Sequence, residues 1–163
     1  MPLTERSPAT GLDEIDLHIL DLVANDARIS NAQLAATIGV APSTAHARMK
    51  ALLDKGVITG FATVVDQRRL GRSLHALIGV TLRPGERKES ISSVEAEIRT
   101  RPEVVQSFFI GGIDDFIVHI AVSDSSTLRA FVVEQISGHP RVASTRTNII
   151  FDYYRASVVS SFD

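Results

Sequence analysis

Apolar residues recur at helical spacing through the first third of the chain and then switch to strand-like alternation. Ile15, Ile19, Leu22 and Val23 form one stripe. They predict a helix capped by Asp13 and ended at Asn25-Asp26. Ser30-Asn31-Ala32-Gln33 has the form of a capping box, in which the Ser hydroxyl and the Gln side chain each satisfy a free backbone N–H. Leu34, Ala35 and Ile38 are the apolar face of the short helix that follows. Gly39 stops it, because glycine enters the left-handed region without a Cβ penalty. Pro42 then suits the first residue of a third helix, where its missing N–H costs nothing. That helix turns Ala45, Met49 and Leu52 inward and ends at Gly56. Val57-Ile58 and Phe61–Val65, separated by Thr59-Gly60, predict a short β-hairpin. Helix, short helix, glycine turn, proline-started helix and hairpin is the order of a winged helix-turn-helix.

Beyond the polar stretch Asp66–Arg72 the period becomes two. Leu74, Ala76, Ile78, Val80 and Leu82 alternate along one strand, which Pro84-Gly85 breaks. Ile91, Val94 and Ile98 mark a helix, and Val104–Ile110 a strand. The loop Gly111–Asp115 precedes a third strand with Phe116, Val118, Ile120 and Val122 on one face. Leu128, Phe131, Val132 and Ile136 mark a second helix, and Val142–Phe151 a fourth strand. Pro102-Glu103-Val104 and Pro140-Arg141-Val142 repeat the same strand entry. Two β-α-β units predict a ferredoxin-like βαββαβ sandwich, with both helices on one face of an antiparallel sheet. The whole chain is then of the α+β class. Alternation puts Leu77, Val105, Phe109, Ile117, Ala121, Ile149 and Phe151 on the second face. An apolar second face implies a partner, most simply another copy of the chain.

Composition narrows the class. The 163 residues are 44% hydrophobic and 22% charged, values of an ordinary globular protein. The ranges expected are a DNA-binding unit at 12–66, a linker at 67–73, a ferredoxin-like unit at 74–152 and a tail at 153–163. The first eleven residues, with Pro2, Pro8 and Gly11, form an arm. Absence of Cys excludes disulfides and thiolate chemistry. The start carries no basic-then-apolar leader and no stretch suits a membrane span, so the expectation is a soluble, cytoplasmic protein. The net charge of −2 excludes a uniformly basic surface but leaves room for a local basic patch.

The third helix supplies that patch. Ser43, Thr44, His46, Ala47, Arg48 and Lys50 occupy its outward positions, the first of them placed to meet base edges and the cations to hold phosphates. Arg68, Arg69 and Arg72 can add backbone contacts. Alone, this face more often describes a solvated helix; the glycine turn and the hairpin, together with the family resemblance given below, favour double-stranded DNA. In the loop, Gly111 and Gly112 can offer backbone N–H groups to a carboxylate, and Asp114 or Asp115 can hold an ammonium, with Ile113 between them. That set suits a zwitterionic amino acid, although an ordinary turn uses the same residues. His18, His46, His75, His119 and His139 are scattered and never at metal spacing. No nucleophile elbow or phosphate loop is present, so neither catalysis nor a cofactor is expected.

Taken together, Leu12–Asp16 with Ile19-Leu20, Asp26–Ser30, Leu34-Ala35, Gly39-Val40, and Arg48, Leu52, Gly56–Ile58 and Gly60 resemble the first half of the Lrp/AsnC regulators. Gly111 with Asp114, and Pro140, Val142, Thr145 and Thr147, resemble their second half. The resemblance runs over residues 12 to 152. It implies a homodimer, often assembled to octamers, that binds DNA and answers to amino acids. It adds Thr145 and Thr147 to the effector loop. The chain departs from the family pattern at Ala41, where a capping Ser is frequent, and at Leu53, Ile113 and Arg141. Ile113 replaces a common aromatic and leaves room for a bulkier effector side chain. A sensor or assembly module whose helices bind only protein is the competing reading, and salt-dependent duplex binding separates the two.

Overall fold

The computed structural model describes residues 11–85 and 87–153, which form two compact units, divided between Thr63 and Val64. The arm at 1–10 and the tail from 154 lie outside the described residues.

In the first unit, α1 (Glu14–Asn25), α2 (Asn31–Ile38) and α3 (Pro42–Asp54) follow from local signals. Asp13 accepts the Asp16 N–H at 2.9 Å and the Asp16 carboxylate reaches back, so α1 opens on a capping box. Ser30 and Gln33 form the second box, at the head of α2. Gly39 ends α2 at φ 73°, a value that favours glycine. Pro42 begins α3, and its N-cap Ala41 makes no side-chain hydrogen bond. Ile19, Val23, Leu34, Ala35, Ala45 and Leu52 close the core between the three helices. Their removal from water at about 25 cal/mol per Å² holds so small a bundle together.

The hairpin expected over Val57–Val65 does not form in this chain. The N–H groups of Val57 and Ile58 both donate to the Leu52 carbonyl, at 2.9 and 3.1 Å. The first strand's donors are therefore spent on the end of α3. Residues 57–65 bend away from α3 and form no strand, and Phe61 and Val64 are 54% and 78% exposed.

The second unit is one antiparallel sheet of β1 (Leu74–Leu82), β2 (Val104–Phe109), β3 (Phe116–Val122) and β4 (Val142–Ile150), in the order β2-β3-β1-β4. With α4 (Arg87–Arg99) and α5 (Ser125–Ala130) this is the ferredoxin-like arrangement. Ala76, Ile78, Val80, Phe116, Val118 and Ile120 meet Val94, Ile98, Leu128, Phe131 and Ile136 in its core. Beyond Ala130 the helix widens to a π-helical stretch, Phe131–Ser137, closed by Gly138 N–H to the Val133 carbonyl. The spacing explains it: Phe131 and Ile136 are both buried. Five residues in an α-helix would turn them well apart, and the wider π turn brings them towards one side.

The second sheet face differs from the simple alternation. The β2–β3 register slips between Val104 and Gln106, after which Phe109 lies opposite Phe116 and Phe108 opposite Ile117. One bulged residue reverses which side chains face out. Ile149 lies opposite Ala76, on the helix side. Leu77, Ile117 and Ala121 are on the open face as expected, but Val105 falls in the slip, Phe109 and Ile149 belong to the other face and Phe151 lies past the strand. The open face also carries His75, His119, Arg146 and Asn148, and is half polar.

Candidate nucleic-acid and effector sites

The glycine turn sets α3 against α2, and the Asn31 amide ties the two starts together by donating to the Pro42 carbonyl at 2.9 Å. Ser43, Thr44, His46, Ala47 and Lys50 are exposed along α3. Lys50 pairs with Asp54 one turn on, at 2.5 Å, with both side chains largely in solvent. Such a pair is weak, and a phosphate can compete for the cation.

Arg48 does not join that surface. Its Nη1 donates to Asp13 at 2.6 Å and to Asp16 at 2.9 Å, and the side chain is half-buried. The same two carboxylates build the capping box of α1, so Arg48 pins α3 to the start of α1. The Asp16 N–H and the Arg48 guanidinium hold the Asp13 carboxyl below its usual range. Asp13 and Asp16 in turn raise Arg48. In this structure Arg48, expected at a phosphate, is engaged by two carboxylates of its own chain.

The loop Gly111–Asp115 joins β2 to β3. Asp115 anchors it: its N–H donates to the Val80 carbonyl at 2.8 Å and its buried carboxylate accepts the Leu82 N–H at 2.7 Å. Asp115 therefore holds the end of β1. Asp114 is also buried, and it is paired with Arg146 of β4. Gly111, Gly112 and Ile113 form the exposed tip, Ile113 at 82%. Thr145 and Thr147 lie opposite Val80 and Ile78, on the helix side of the sheet. Thr145 meets Ser137 there at 3.0 Å. Arg146, opposite Gly79, faces the other way with Asp114. The structure therefore brings Asp114 to Arg146 and separates both from the two threonines. Sequence reasoning passed over Arg146; its place between two proposed site residues was the available signal.

A second polar group sits on the open face. His75 Nδ1 and His119 Nε2 are 3.0 Å apart, and the Tyr153 ring covers both at 5.6 and 5.8 Å between centroids. Desolvation lowers both imidazoles below their ordinary pKa. Arg68 adds to this at His75, and His75 adds to it at His119. Among the described residues no three His, Asp or Glu side chains converge on a metal position, and no helix is long and apolar enough to cross a membrane.

A three-helix reading head and a separate ferredoxin-like unit define a DNA-binding regulator with a ligand domain. Comparison with known proteins gives the family. Residues 12–59 match the winged helix-turn-helix DNA-binding family, and residues 75–158 match the Lrp/AsnC ligand binding domain. The HTH-type transcriptional regulator AldR of Mycolicibacterium smegmatis is 45% identical over 149 residues, covering 91% of this chain and 86% of that protein. The crystal structure of AldR from Mycobacterium tuberculosis superposes with a TM-score of 0.69 at 39% identity, covering 88% of this chain and 97% of that one. The leucine-responsive regulatory protein of Salmonella typhimurium is 27% identical over 154 residues, 94% of this chain and 93% of that protein. The chain belongs to the Lrp/AsnC family of transcriptional regulators, whose named relatives are regulators and not enzymes.

Proposed function

We propose that this regulator is a homo-oligomer, dimeric at least and able to assemble to an octamer, whose grip on duplex DNA is set by an amino-acid effector. Residues 12–66 read DNA through Ser43, Thr44, His46, Ala47 and Lys50. Residues 67–73 link them to the effector and assembly unit at 74–152. The effector binds at Gly111–Asp114, with Asp115 supporting the loop. Thr145 and Thr147, on the far side of the sheet, take part only through a neighbouring subunit.

The observation that carries the reading is α3: a helix started by Pro42 behind the Gly39 turn, with small polar residues exposed over its first turns. Short side chains there let the helix enter a major groove and reach base edges. A family relative named for its response to leucine supports an amino-acid effector. So does the charged pair beside the Gly111–Ile113 tip. The unpartnered segment 57–65, with Phe61 and Val64 in solvent, supports assembly.

The test is fluorescence anisotropy on labelled duplex DNA across a salt series, with and without each of the twenty amino acids. Binding should fall with salt, because releasing counterions into a saltier solution gains less free energy. One or more amino acids should change the affinity by about 5- to 150-fold. Duplex binding that ignores salt would remove the DNA assignment, and a DNA affinity that no amino acid changes would remove the effector.

A further inference from the structure

We infer that Arg146 is the carboxylate anchor of the effector site, and that Asp114 and Arg146 select an α-amino acid by opening their own ion pair around its two charges. This rests on the effector reading above and adds to it a residue and a chemical rule.

Arg146 Nη2 donates to Asp114 Oδ2 at 2.5 Å. The two partners are unequal: the Asp114 side chain is 8% exposed and that of Arg146 is 57% exposed. The acid is therefore fixed and the base reaches into solvent. What fixes the acid is Gly79, directly opposite Arg146 in the β1–β4 ladder. A Cβ on Gly79 would stand 2.7 Å from the Asp114 carboxylate, so the carboxylate lies against bare backbone in the middle of a strand. A buried glycine in mid-strand marks a close approach, and here what approaches is a charge.

Such a pair responds differently to different ligands. A guanidinium has five N–H donors, so Arg146 can meet a second carboxylate along its exposed edge. The ammonium and carboxylate of an α-amino acid stand one carbon apart and complement an acid–base pair. Placing the zwitterion between Asp114 and Arg146 turns one ion pair into two and leaves no charge unmatched. A simple amine would displace Arg146 and strand the guanidinium. A simple carboxylate would draw Arg146 away and leave the buried Asp114 uncompensated, the costlier fault. Exposed Ile113, the residue before Asp114, offers apolar surface to the effector's side chain. The same argument reassigns Asp114: its charge is already matched in the resting chain, so it takes an ammonium only as Arg146 moves over to the carboxylate.

The experiment uses the full chain. The amino acid that most raises the melting temperature, of the twenty, is titrated calorimetrically into the wild type, Arg146→Gln and Arg146→Lys. Its amide and its N-acetyl derivative are titrated beside it. The wild type should bind the amino acid at least tenfold more tightly than either derivative. Arg146→Gln should lose about tenfold for the amino acid and little for the amide, so that the selectivity between them collapses. Arg146→Lys should recover part of it. Equal amino-acid affinity in the wild type and Arg146→Gln would overturn the inference, as would a wild type that binds the amide as well as the amino acid. The derivative comparison needs no variant and decides the matter if Arg146→Gln fails to fold. If none of the twenty raises the melting temperature, the effector reading itself falls and this one with it.

Discussion

Arg48 shows how much a single side chain can hide from a linear reading. Its place on the outward face of α3 suggests a phosphate contact, but Asp13 and Asp16, more than thirty positions away, claim it. The capping roles of Asp13 and Ser30 and the turn at Gly39 were legible because each is settled within four residues. Arg48 and Arg146 were not, because their partners come from other elements. Arg48→Ala should lower the melting temperature while leaving the slope of log affinity against log salt nearly unchanged. Lys50→Ala should do the reverse, reducing the slope by about 0.9 with the melting curve intact, since one phosphate contact is lost. Anisotropy titrations paired with calorimetric melting separate the two. Gly79 makes a third case. Gly79→Ala drives a methyl into the Asp114 carboxylate and should cost about 1–3 kcal/mol in urea unfolding, as overpacking does.

At the level of elements, period and punctuation located the four strands of the second unit and the two helices that cover its sheet, and its topology followed from the repeated β-α-β order, but the short 3-10 turn at Gln67–Leu70 was read as linker. What escaped was one residue at a time. The slip at Val104–Gln106 reverses β2, and the π turn at Phe131–Ser137 keeps two core residues facing the sheet. Neither leaves a mark in an alternating or a helical pattern, because each is a local departure that packing imposes. The hairpin over Val57–Val65 is absent for another reason: a two-residue strand cannot outcompete a helix end for its N–H groups. Strands β1 and β3 also share the His75–His119 pair, whose pH dependence has a definite sign. Both imidazoles are harder to protonate folded than unfolded, so the unfolded chain binds more protons as pH falls. Stability should be greatest above the ordinary histidine pKa of about 6.5, decline as pH drops through it and level off below the folded values. Arg68 deepens the effect at His75, and Asp66 and the Arg72 backbone oppose it. Urea midpoints measured from about pH 8 to 5 should trace this decline, and His119→Gln should flatten it.

For the molecule as a whole, exposed apolar surface argues that one chain is not the working unit. Sedimentation velocity at micromolar concentration should find dimers or larger species and no stable monomer; a single monomeric boundary would refute this. The segment from Val57 to Val65 gives that expectation a further side. It is nine residues long, carries no charge and no proline, is rich in β-forming side chains, and pairs with no strand among the described residues. An exposed segment of that composition can template pairing with an extended chain that it meets. On the assembly proposed above, a subunit that has not yet met another thus carries the ingredients of a misassembled aggregate.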